Sequence, residues 1–69
     1  MTYKLKEHVT DEMLKAVGFR NVLDYQIRAI RFNAESYSNT FIDKNNHIMT
    51  WGKEHIQDLI ELGYVEEVD

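Results

Sequence analysis

Sixty-nine residues allow one folded domain, residues 1–69, because a chain this short buries only about 60% of the surface it exposes when unfolded. It contains no cysteine and no proline, so neither a disulfide nor a thiolate zinc site can staple it, and apolar burial must carry the fold. The formal charge is −4 and unevenly spread: residues 1–53 hold 8 Lys/Arg against 6 Asp/Glu, while residues 54–69 hold 6 Asp/Glu and no Lys or Arg. That sign disfavours a uniformly basic nucleic-acid face. No apolar run approaches the ~18 residues of a membrane span, and Lys4, Lys6, Glu7 and His8 break up any signal-like start, so no membrane partner is expected. With cysteine absent, the expected location is cytoplasmic.

In chain order, "TYKLK" reads as an edge strand whose lysines discourage further pairing. "TDEMLKAVGF" predicts a helix over 11–17, with Thr10 as N-cap, Asp11 and Glu12 favoured by the helix dipole, and Gly18 as the left-handed residue that ends it. Leu14 and Phe19 then hold the offsets whose contact seals such an end. "VLDYQIRAIRF" fits two patterns over residues 22–34. As a strand it puts Tyr25, Ile27 and Ala29 on one face with Ile30 and Phe32 on the other; as a helix it aligns Leu23, Ile27, Ile30 and Ala34. The strand is preferred.

"YSNTFIDKNNHIMTW" predicts a β-hairpin around "DKNN", since asparagine tolerates positive φ. A two-residue loop at Asn45 and Asn46 would set Ile42 opposite Met49 and Thr40 opposite Trp51; a four-residue loop would set Phe41 opposite Ile48. In "WGKEHIQDLIELGYVEEV" Ile56, Leu59, Ile60 and Tyr64 recur at helical spacing, Thr50 is a candidate cap, Gly63 stops the helix, and Val65 to Val68 form an extended tail. The expected fold is α+β, a small antiparallel sheet with two short helices on one face in the order β-α-β-β-β-α-β.

Catalytic and metal patterns are weak. His8, His47 and His55 include no pair one helical turn apart, and Glu54, His55 and Asp58 make only a partial ligand set, so no metal and no cofactor are expected. Ser36 and Ser38 lack a glycine-flanked elbow, "WGKEH" lacks the rest of a phosphate loop, and Glu66 and Glu67 alternate sides on an extended tail. An enzyme is therefore not expected.

Two constellations suggest binding. Arg20, Arg28 and Arg31, interleaved with Tyr25, Phe32 and Tyr37, could pair phosphates and stack bases, although on a strand Arg28 and Arg31 would point to opposite faces. Glu54, Asp58 and Glu61 form a helical stripe at i, i+4, i+7 that Glu66, Glu67 and Asp69 prolong. Like charges at that spacing destabilise a helix by about 0.2–0.5 kcal/mol per pair, a cost that a binding surface would explain.

"TDEMLKAVGF" and "IQDLIELGYVEEV" resemble the two ends of many short uncharacterised proteins encoded by bacteriophages and prophages. Both stretches are helix caps, so no catalytic or ligand residue follows from them. The resemblance implies a small accessory protein acting in the host cytoplasm by binding and blocking a host protein, such as a defence or nucleic-acid-processing enzyme. The first expectation is thus a non-catalytic inhibitor that meets a basic surface through Glu54, Asp58, Glu61, Glu66 and Glu67, with Trp51 or Tyr64 as an anchor. The alternatives are a nucleic-acid-binding module using Arg20, Arg28, Arg31 and Tyr25, and a homo-oligomer that sequesters a small ligand.

Overall fold

The computed structural model describes residues 2–33 and 38–68, which form one six-stranded antiparallel sheet with two short helices packed on one face. In chain order these are β1 (Thr2–Leu5), α1 (Asp11–Ala16), β2 (Arg20–Asn21), β3 (Ile27–Asn33), β4 (Ser38–Asp43) and β5 (His47–Met49). A 3-10 turn (Lys53–Ile56) then leads into α2 (Gln57–Leu62) and β6 (Val65–Val68). The α+β class is as the sequence predicts, with one strand added: β2 is two residues long, too short to leave a periodic signal, and pairs Arg20 with Ile30 and Asn21 with Ala29. Ala34 and residues 35–37, which include Ser36 and Tyr37, lie outside the described residues, as does Asp69.

The strands lie in the order β2-β3-β4-β5-β1-β6. β1 is therefore not an edge: it pairs with β5 through Tyr3 and Lys4, and with β6 along its whole length. Tyr3 and Leu5 face the helices while Lys4 points to the other side, so its charge decorates a face and leaves both pairing edges open.

Local chemistry explains the helix ends. Thr10 Oγ1 accepts from the Met13 amide at 3.3 Å, and the Met13 sulfur accepts the Thr10 amide in return. Both helices close with the paired bonds of a Schellman motif: Phe19 N to Leu14 O at 3.0 Å with Gly18 N to Lys15 O, and Tyr64 N to Leu59 O at 3.0 Å with Gly63 N to Ile60 O. Gly18 and Gly63 supply the positive φ, +97° and +75°, that these closures need. The start of α2 differs from expectation. Gly52 precedes the 3-10 turn without a side-chain cap, and Thr50 instead donates to the Gly52 carbonyl and lies against Thr40.

The β4–β5 hairpin takes neither expected register. Phe41 pairs with Met49 and Ile42 with Ile48, around a loop of Lys44, Asn45 and Asn46. Asp43 Oδ1 accepts the amides of Asn45 and His47, the Asp43 carbonyl accepts from Asn46, and Asn46 turns left-handed at φ +68°. This is a three-residue loop ending in a left-handed position, which the Asp43 carboxylate makes favourable over the alternatives.

β3 carries the other departure. Ile27 pairs with Asp43 and Ala29 with Ile42, so Arg28 is the extra residue of a β-bulge. The bulge separates Ile27 from Ala29, which therefore do not share a face; Tyr25 precedes the strand and is exposed. The helix-side face collects Leu5, Ala29, Ile42, Ile48 and Val65 against Leu14, Phe19, Ile56 and Leu59, and together with Val9 these form one buried core.

Candidate interaction surface

The helix layer uses two of the three arginines as ties. Because the bulge displaces Arg28, its side chain and that of Arg31 both reach the helix side instead of opposite faces. Arg28 donates to Asp11 Oδ1 at 3.0 Å, to Asn46 Oδ1 at 2.7 Å and to the Val9 carbonyl, joining the start of α1 to the hairpin loop. Arg31 lies 4.7 Å over the Phe19 ring, donates to the carbonyls of Val17 and His55, and grips Asp58 through both oxygens at 2.7 and 3.2 Å. Phosphate binding by either guanidinium would require these bonds to break. Arg20 stands apart on β2 at the opposite face, with no ion pair among the described residues.

The acidic stripe is also divided. Asp58 faces Arg31, and although partial burial alone would raise its pKa, the guanidinium and nearby backbone amides outweigh that and hold the carboxyl below its ordinary value. Glu54 sits in the 3-10 turn, where i, i+4 spacing no longer aligns side chains, and its carboxylate lies 3.7 Å from His55 Nε2. Glu61 is exposed on α2. On β6 Glu66 stands opposite Lys4 and Glu67 opposite Tyr3, so the two carboxylates point to different faces of the sheet. Tyr64 is half-buried, with its ring edge-on to His8 at 6.2 Å between centroids. Among the described residues no three His, Asp or Glu side chains come together as a metal site, and no helix is long and apolar enough to cross a membrane.

The surface that sequence reasoning missed is the second face of the sheet, which no helix covers. Alternation along the paired strands puts Ile27, Ile30, Phe32, Phe41 and Met49 there, and Trp51 extends beyond β5. Phe32 is 67% exposed, Met49 47% and Trp51 80%. Aromatic side chains carry roughly 150–250 Å² each, so Phe32 and Trp51 together leave about 200–350 Å² in water. Two shallow grooves lie on this face: one is lined by Phe41, Met49, Thr50 and Trp51, the other by Tyr25, Ile27, Asp43 and Lys44, and they meet at Met49. Tyr25, from the arginine constellation, thus lines the second groove with Gln26, Asp43, Lys44 and Asn45, and Trp51, from the acidic one, lines the first with Phe41 and Met49. The signal was present in β3, where Ile30 and Phe32 alternate with the buried Ala29: a strand apolar on both sides needs cover on both.

Comparison with family models, curated proteins and solved structures returns no match to this chain.

Proposed function

We propose that this chain is a non-catalytic binding protein whose principal contact surface is the uncovered sheet face centred on Met49. The observation that carries the reading is that Phe32, Met49 and Trp51 are exposed, beside the half-buried Ile30 and Phe41, on the sheet face opposite the two described helices. Leaving apolar side chains exposed forgoes about 25 cal/mol per Å², and a partner that covers them recovers it. Rigid aromatic groups beside shallow grooves also match how interfaces place their anchors. Catalysis has less support, since Asp43, the carboxylate that lines the second groove, holds the hairpin loop.

A second reading keeps the helix layer as a contact for a basic partner, such as the host protein that the chain ends suggest. It is favoured by Glu61, which is exposed and has no ion pair among the described residues, with Glu54 on the preceding turn. The readings separate by comparing protein capture by wild type, by Phe32→Ser/Trp51→Ala and by Glu54→Lys/Glu61→Lys. Loss only in the first variant supports the sheet face; loss only in the second overturns it in favour of the acidic layer.

A further inference from the structure

We draw no further inference here: the strongest candidate, the uncovered sheet face with its two shallow grooves meeting at Met49, belongs to the contact surface already described, and nothing in the structure shows what covers it.

Discussion

Replacing Arg31 with methionine keeps its aliphatic stem over Phe19 and deletes the guanidinium that ties β3 to both helices. Four hydrogen bonds go with it: two to the carbonyls of Val17 and His55, and two to Asp58. Val17 caps α1, so its carbonyl is among those a helix end leaves without an internal partner. Each carbonyl abandoned in a partly buried position costs about 1 kcal/mol, at the low end of the range for such groups. The Asp58 side chain is 49% exposed and can rehydrate, so its share is discounted to about 1 kcal/mol. Arg31→Met should therefore cost about 3 kcal/mol, a large part of the roughly 3–10 kcal/mol that a domain of this size holds. Urea titration followed by far-UV circular dichroism measures it, and thermal melting should show a fall of more than about 10 °C. Asp58→Asn should cost about 1 kcal/mol alone and almost nothing in the Arg31→Met background. A loss below about 0.5 kcal/mol for Arg31→Met, or equal losses for the two single variants, would refute the view that Arg31 acts as a hub through the carbonyls.

Other consequences follow from the same contacts. Asp58 has a folded pKa below its unfolded one, so its contribution to stability is complete above about pH 4 and disappears as pH falls through the lowered value; Asp58→Asn should flatten acid unfolding in that window, read by circular dichroism against pH. Gly63→Ala meets no neighbouring atom but must hold φ +75°, so it should cost about 1–2 kcal/mol by denaturant titration, with Gly63→Asn recovering part of the loss. Leu59→Ala, at a fully buried site, should cost about 2–5 kcal/mol, whereas Trp51→Ala should change monomer stability by less than about 0.5 kcal/mol in dilute solution. A large loss for Trp51→Ala under those conditions would mean that the ring supports the fold.

Features written within a few residues were legible in the sequence. Thr10, Gly18 and Gly63 set the helix limits because caps and left-handed turns depend on neighbours at most five positions away. The apolar spacing of Ile56, Leu59 and Ile60 likewise gave the buried side of α2. The hairpin register differs from both expected ones because the Asp43 carboxylate accepts two amides, which selects a loop of three. The bulge at Arg28 was beyond local reasoning: its reward comes from Asp11, Asn46 and Val9, 17 to 19 positions distant. The same holds for Arg31 and Asp58, 27 positions apart, whose pairing converts residues of two supposed binding sites into one internal tie. What remained after these ties was the sheet's second face, signalled by Ile30 and Phe32 on β3 but distinguished from the covered face only by the placement of both helices.

The measurement that most directly tests the uncovered face as the contact surface is site-specific photo-crosslinking. p-Benzoylphenylalanine would be placed at Met49, at the junction of the two grooves, and separately at Glu61 on the helix layer, and each chain irradiated both at high concentration and in cell extract. The account predicts protein adducts from position 49 and few from position 61. Adducts confined to position 61, or none from position 49 under either condition, would contradict it.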